Sequence, residues 1–180
     1  MRVISGKYKR RNLKGINIKG TRPTMDRVKE SMFALIQSKL KDSVCLDLFA
    51  GSGSLGIEAL GNGADACYFV DIKEQAIKTI KENIDNLKIE EKYYILKKDY
   101  QDALKYFYQN KIKFDLIFLD PPYHLNLINH VLELIIKYDL LKENGLVICE
   151  FENEIVNNEN FICEKERKYS SKHLKILKRK

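Results

Sequence analysis

Val44-Cys-Leu-Asp-Leu-Phe-Ala-Gly-Ser-Gly-Ser-Leu-Gly56 decides the fold. Its apolar opening, Val44–Phe49, is too short for a buried helix and reads as a buried strand. It runs into the turn Ala50-Gly51-Ser52-Gly53, and a helix is predicted from about Ser54 to Leu60, where Gly61 and Gly63 stop it. Strand, glycine turn and helix in that order open a βαβ unit. Gly51, Gly53 and Gly56 fit G-x-G-x-x-G, and Asp71 stands twenty residues after Gly51. Such a loop lets a backbone approach a ligand closely, and an acid at the second strand's end can accept hydrogen bonds from ribose hydroxyls.

The rhythm continues outward. Ala66–Val70 reads as a second strand ending at Asp71, and Ala76, Ile77, Ile80, Ile84 and Leu87 mark an amphipathic helix. Tyr93–Leu96 is a third strand, residues 101–109 a helix, Phe114–Leu119 a fourth strand, residues 125–137 a helix and Gly145–Cys149 a fifth strand. Upstream, Thr21-Arg22-Pro23-Thr24 reads as a helix start, with Val28, Met32, Leu35, Ile36 and Leu40 on one apolar face. Residues 1–20 alternate β-prone pieces, Arg2–Ser5 and Leu13–Lys19, with glycines, and predict a small hairpin-like extension. The tail from Phe161 alternates weakly and suits a final strand pair, antiparallel in sense. Alternating strands and helices imply an α/β, mostly parallel, doubly wound sheet in a single domain over 1–180.

The fourth strand ends abruptly in Asp120-Pro-Pro-Tyr123. Neither proline can donate a ladder hydrogen bond, so the strand stops and Asp120 is delivered to its carboxyl end on a stiff turn. That edge of an open α/β sheet is where ligands bind. An acid, exposed carbonyls and a ring at one corner can hold a flat, polar group such as a nucleobase. His124 follows directly, but the chemistry below needs no imidazole.

The glycine loop alone fits NAD as well as another adenosine cofactor. Two features favour S-adenosylmethionine. Asp47 lies inside the first strand, where an acid is rare unless partnered. A carboxylate there suits a cationic amine and a sulfonium better than a pyrophosphate. The Asp-Pro-Pro-Tyr corner, moreover, is nothing hydride transfer requires. At the third strand's edge, Asp99 and Tyr100 can touch an adenine, although Asp99 equally suits a helix N-cap.

Charge is unevenly spread. The chain carries +7, but residues 1–29 carry +9, residues 164–180 carry +6, and the body between them carries −8. Basic ends on an acidic body predict a phosphate-binding surface, with Lys9, Arg10, Arg11, Arg22 and Arg27 as the leading contacts. Arg22 has a rival role, pairing with a core carboxylate. Cys45, Cys67, Cys149 and Cys163 include no Cys-x-x-Cys pair and read as reduced core residues of a cytosolic protein. No apolar run approaches the roughly 20 residues that span a bilayer.

Leu46-Asp-Leu-Phe-Ala-Gly-Ser-Gly-Ser-Leu-Gly-Ile-Glu58, with Asp120-Pro-Pro-Tyr123, resembles the S-adenosylmethionine-dependent methyltransferases that modify exocyclic amino nitrogens of bases. More narrowly, Thr21-Arg-Pro-Thr-x-Asp-Arg-Val-Lys-Glu30 and the opening Met-Arg-Val-Ile-Ser-Gly-Lys-Tyr resemble the bacterial family that methylates guanine N2 in 16S ribosomal RNA. The resemblance covers nearly the whole chain. One departure is Tyr169-Ser170, where the family usually carries Tyr-Gly before its last strand.

The resemblance implies a seven-stranded Rossmann-like class I methyltransferase sheet. It implies that Asp47, Phe49, Gly51, Gly53, Asp71, Ile72, Asp99 and Tyr100 hold the cofactor, and that Asp120, Pro121 and Tyr123 act on the base. Asp120 and the Pro121 carbonyl would accept the two amino N–H bonds, and Tyr123 would stack on the ring. The substrate would be 16S rRNA or the small ribosomal subunit, with a flipped or unpaired base, and the enzyme a monomer in the cytoplasm. An adenine-N6 methyltransferase, a non-catalytic RNA-binding protein of the same fold and an NAD oxidoreductase remain the competing readings.

Overall fold

The structure is a computed structural model that describes residues 1–16 and 26–180. The expected helix start at Thr21–Thr24, with Arg22, lies outside the described residues. The elements are α1 (Asp26–Leu40), β1 (Val44–Asp47), α2 (Ser54–Gly61), β2 (Ala66–Asp71), α3 (Glu74–Leu87), β3 (Lys92–Lys97), α4 (Tyr100–Gln109), β4 (Phe114–Leu119), α5 (Ile128–Lys137), β5 (Leu141–Phe151), β6 (Phe161–Tyr169) and β7 (Lys172–Arg179). No described helix is long and apolar enough to cross a membrane.

One seven-stranded sheet has the order β3-β2-β1-β4-β5-β7-β6. The first five strands run parallel, and β7 is antiparallel to both β5 and β6. Side chains alternate across each strand. Cys45, Leu116 and Phe118 therefore enter one core layer with Met32, Phe33, Ile57 and Ile80 from α1, α2 and α3. Leu46, Ile117 and Leu119 enter the other, with Leu104 and Phe107 of α4 and Val131 and Ile135 of α5. Helices thus cover both faces, as a buried parallel sheet requires.

The strand order reverses between β1 and β4, whose register pairs Asp47 with Phe118. The two carboxyl ends splay there, and this is the crevice in which doubly wound sheets bind ligands. Both the glycine loop and the Asp120 corner open onto it.

Three expectations are corrected. Among the described residues, the hairpin-like extension shows a single bridge, Arg2 with Asn12, and residues 13–16 form no strand. The Asn83 side chain takes the backbone of Lys14 instead, accepting its N–H at 2.8 Å and donating to its carbonyl at 3.1 Å. The helix expected over 125–137 begins at Ile128, because Asn126 is left-handed (φ 48°) and separates it from a 3₁₀ turn at Tyr123–Leu125. Cys45, Cys67 and Cys149 are buried, but Cys163 is exposed. It stands on β6, the edge strand that presents most of its residues to solvent.

Candidate active site

A cleft of about 680 Å³ lies between the β1 and β4 loops. Asp47, Phe49, Gly51, Ser52, Ser54 and Leu55 line it from one side, and Asp120, Pro121, Pro122 and Tyr123 from the other. Glu152 and Asn153 close the rim.

Backbone geometry shapes the glycine side. Gly51 holds φ +55°, a left-handed conformation that side chains rarely adopt, and turns the chain off β1. Gly56 serves packing: a Cβ there would meet the Phe69 ring at 2.2 Å and the Cys67 sulfur at 2.6 Å. It is the point where α2 lies directly on β2. Asp71 supports the turn, its Oδ2 accepting the Gly51 N–H at 2.9 Å and its Oδ1 that of Lys73 at 2.9 Å. Asn83 adds a third tie, donating to the Ser52 carbonyl at 2.9 Å. One asparagine thereby joins the glycine loop to the N-terminal segment.

Asp47 is buried, and its Oδ2 accepts the Gly56 N–H at 2.9 Å. Burial pushes its carboxyl up to about 7, against the opposing pull of that hydrogen bond, and the Asp71 charge adds to the rise. With Asp120 and Glu152, the cleft holds three carboxyl groups. Such a field attracts cations and repels a pyrophosphate.

The remaining cofactor-side residues are placed less uniformly. Phe49 lines the cleft, and Tyr100 packs behind it at 5.7 Å between ring centres. Gly53 caps the start of α2 and lies outside the lining. Ile72 is exposed just past β2. Asp99 caps α4, its Oδ1 accepting the Gln101 N–H at 2.8 Å. The N-cap alternative is therefore the contact that the structure displays, and neither Asp99 nor Ile72 reaches the cleft lining.

On the basic side, Lys9, Arg10 and Arg11 are exposed on the turn of the extension. Arg11 donates to the Asn86 carbonyl at 3.1 Å, while Arg27 lies 5.9 Å from the Tyr169 ring centre. These two sit on different patches.

Several residues escaped sequence reasoning. Lys29 and Glu58 form a fully buried ion pair at 3.0 Å. Glu58 also accepts the Ile4 N–H at 3.0 Å and the Ser5 N–H at 2.6 Å, and Lys29 donates to Ser54 Oγ at 3.0 Å. Glu152 and Asn153 directly follow β5, much as Asp71 ends β2, a signal that was present in the chain. Glu154 holds them over the cleft by accepting the Ile128 and Asn129 N–H groups, at 3.3 and 3.1 Å, at the start of α5. Tyr123, finally, is held from behind by Glu150 and Lys172.

The family described as Conserved hypothetical protein 95 matches residues 1–178. The chain belongs to this family. YlbH of Bacillus subtilis, named as a candidate rRNA methyltransferase, is 43% identical over 86% of this chain and 84% of its own length. Ribosomal RNA small subunit methyltransferase D of Haemophilus influenzae is 38% identical over 93% of this chain and 88% of its own. Among solved structures, yhhF of Escherichia coli, titled as a candidate methyltransferase, superposes with a TM-score of 0.86 at 27% identity, covering 100% of this chain and 98% of its own. This Conserved hypothetical protein 95 chain thus has the doubly wound, mostly parallel sheet expected from its sequence, with the acidic cleft at the strand-order reversal.

Proposed function

We propose that this protein transfers a methyl group from S-adenosylmethionine to the exocyclic N2 of a guanine in 16S ribosomal RNA. It would do so as a single cytoplasmic domain, a monomer acting on the rRNA or the small ribosomal subunit. The observation that carries this reading is the meeting of Asp120 and Pro121 with the acidic glycine-loop side of one cleft. The names of the relatives support the reaction class and the RNA, and the Thr21–Glu30 segment supports the choice of guanine.

The residues present fit the cofactor. Asp47 and Glu152 offer carboxyl groups to a molecule carrying an amine and a sulfonium, and Phe49 and Leu55 offer apolar walls. Asp71, Ile72, Asp99 and Tyr100, at the neighbouring strand ends, are assigned to its nucleoside part. Once bound, the sulfonium supplies an electrophilic methyl group and leaves as a neutral thioether.

The protein's task is then orientation. The exocyclic amine is a weak nucleophile because its lone pair is delocalised into the ring. Asp120 and the Pro121 carbonyl accept its two N–H bonds and point the lone pair along the line of attack. As the N–C bond forms and the S–C bond breaks, the surplus proton passes to Asp120 or through it to water. Tyr123 supports the flat face of the base. Orientation of this kind is worth roughly 7–11 kcal/mol in favourable cases. The base must be unpaired to enter, and Lys9, Arg10, Arg11, Arg22 and Arg27 would hold phosphates around it.

The corner by itself fits the amino group of adenine equally well, so the test must identify the product. Protein incubated with labelled S-adenosylmethionine and unmethylated small subunits should yield N2-methylguanosine after digestion. Label only in N6-methyladenosine would overturn the base assignment. Asp120→Ala should abolish transfer while cofactor affinity stays within about a few-fold. Undiminished turnover in that variant would remove Asp120 from the mechanism.

A further inference from the structure

Behind the Asp120 corner, three side chains form a closed triangle. The Tyr123 hydroxyl donates to Glu150 Oε1 at 2.8 Å. Lys172 Nζ donates to the Tyr123 oxygen at 2.7 Å and to the same Glu150 oxygen at 2.5 Å. Glu150 is fully buried and Lys172 nearly so. Glu150 comes from β5 and Lys172 from the start of β7, the strand that runs antiparallel beside it. None of this follows from local sequence, since the two residues stand 22 apart.

The triangle is an expensive way to fill space. Burying two charges costs several kcal/mol each before their attraction repays it, and apolar residues of similar size often serve stability better. Glu150 Oε2, moreover, has no hydrogen-bond partner among the described residues. What the arrangement does secure is Tyr123. Burial, with the Asp120 and Glu150 charges nearby, pushes the phenol far above its ordinary range, so it stays protonated and remains a donor.

The direction of the grip matters. Lys172 Nζ stands 5.1 Å from the ring centre but only 2.7 Å from the hydroxyl oxygen. It therefore lies beyond the oxygen, at the hydroxyl end of the side chain, and not above the ring centre. The contact is an end-on hydrogen bond and leaves the ring faces to other neighbours. Tyr123 lines the cleft beside Asp120.

We propose that Lys172 and Glu150 are positioning residues that lock Tyr123 as the fixed wall against which the target base is aligned with Asp120. The inference rests on the base-methylation reading above. Lys172 touches neither substrate nor cofactor in this role. Released from its grip, the phenol swings, the base samples more orientations, and the methyl-transfer step slows while cofactor binding does not.

The test uses the full chain and single-turnover methyl transfer to unmethylated small subunits, with enzyme in excess. Tyr123→Phe and Lys172→Met should each slow transfer by about ten- to a hundredfold. Their combination should be no slower than the worse single variant, because both remove one grip. S-adenosylmethionine affinity, read by calorimetry, should stay within about twofold. Glu150→Gln combined with Lys172→Met keeps an acceptor for the hydroxyl and removes the stranded charge, so it should recover most of the rate lost by Lys172→Met alone.

A merely structural triangle would lower the melting temperature and leave the rate per folded site unchanged. That result, or effects of the two single variants that multiply, overturns the proposal. A second measurement stands apart from activity. The Tyr123 hydroxyl proton should be visible by NMR as a slowly exchanging resonance, absent in Tyr123→Phe and broadened away in Lys172→Met. Loss of any methylation by the wild-type chain would overturn the functional reading, whereas a rapidly exchanging hydroxyl in that chain overturns the lock.

Discussion

Asp47 accepts the backbone N–H of Gly56 at 2.9 Å, and this bond seats a carboxyl group beneath the glycine loop at the start of α2. Burial raises that carboxyl from an ordinary 3.8 to about 7. A cation in the cleft favours the ionised form. S-adenosylmethionine should therefore bind more tightly as pH rises toward 7, by up to about tenfold per unit, and level off above it. Calorimetry across that range checks the slope, and a flat profile would remove Asp47 from contact with the cofactor's charge. Without ligand the stability effect runs the other way. Between 3.8 and about 7 the unfolded chain has already lost a proton that the fold retains, so this group's contribution falls as pH rises. Asp47→Asn should melt higher than wild type above pH 7, with the advantage shrinking toward pH 4.

Gly56→Ala tests the division of labour within the glycine loop. The added Cβ meets Phe69 and Cys67 well inside contact distance, and two packed layers must part. A loss of about 1–3 kcal/mol is expected from overpacking. Gly51→Ala meets only ordinary contacts, with Ile16 and the Phe49 carbonyl at 3.9 Å, but inherits a left-handed backbone, at about 1–2 kcal/mol. Denaturant melts distinguish the two variants. A Gly56→Ala chain as stable as wild type would contradict the close approach of α2 to β2.

The Lys29–Glu58 pair anchors the N-terminal extension to α2. Lys29→Met strands a buried carboxylate and should cost about 3–5 kcal/mol. Lys29→Met with Glu58→Gln removes the charge and should regain most of that loss, since the amide oxygen still accepts from Ile4 and Ser5. Proteolysis around residues 1–16 reports the same release directly: faster in the single variant, near wild type in the double. Equal cleavage in all three chains would refute the anchor.

Ser170 holds φ +53° in the turn between β6 and β7, where the resembled family usually has glycine. The left-handed conformation penalises serine, while glycine adds freedom to the unfolded chain. Ser170→Gly should therefore stabilise by about 0.5–1 kcal/mol and raise the thermal midpoint by a few degrees. A lower midpoint would mean that the serine side chain contributes something its backbone conceals.

What the chain discloses and what it hides divide along physical lines. β1, β2 and β4 were legible because each is an apolar run stopped by a glycine turn or an acid, so composition and punctuation agree. Asp47, Gly51 and Asp120 were legible for the same reason: each breaks a local rule, an acid in or after a buried strand or a turn that only glycine suits. The lack of a strand over residues 13–16 was not, because the Lys14 backbone takes the side chain of Asn83, far away in sequence, as its partner. Glu150, Lys172, Lys29 and Glu58 read as surface charges when taken singly. Only the β5–β7 register and the packing of α1 on α2 turn them into buried pairs. Asp99 shows the opposite limit, since one residue type at a strand-to-helix junction serves ligand and N-cap equally well.

The place of β7 in the sheet has a consequence for synthesis. It is the last element in the order, yet it lies between β5 and β6 and delivers Lys172 to Tyr123. A nascent chain ending before residue 172 has its glycine loop and its Asp120 corner but no lysine behind the phenol, and β6 has no strand to join. The corner is thus completed only once the chain has grown past residue 172 and β7 has paired with β5. Any chain cut short of that residue keeps the corner but lacks the support behind its ring.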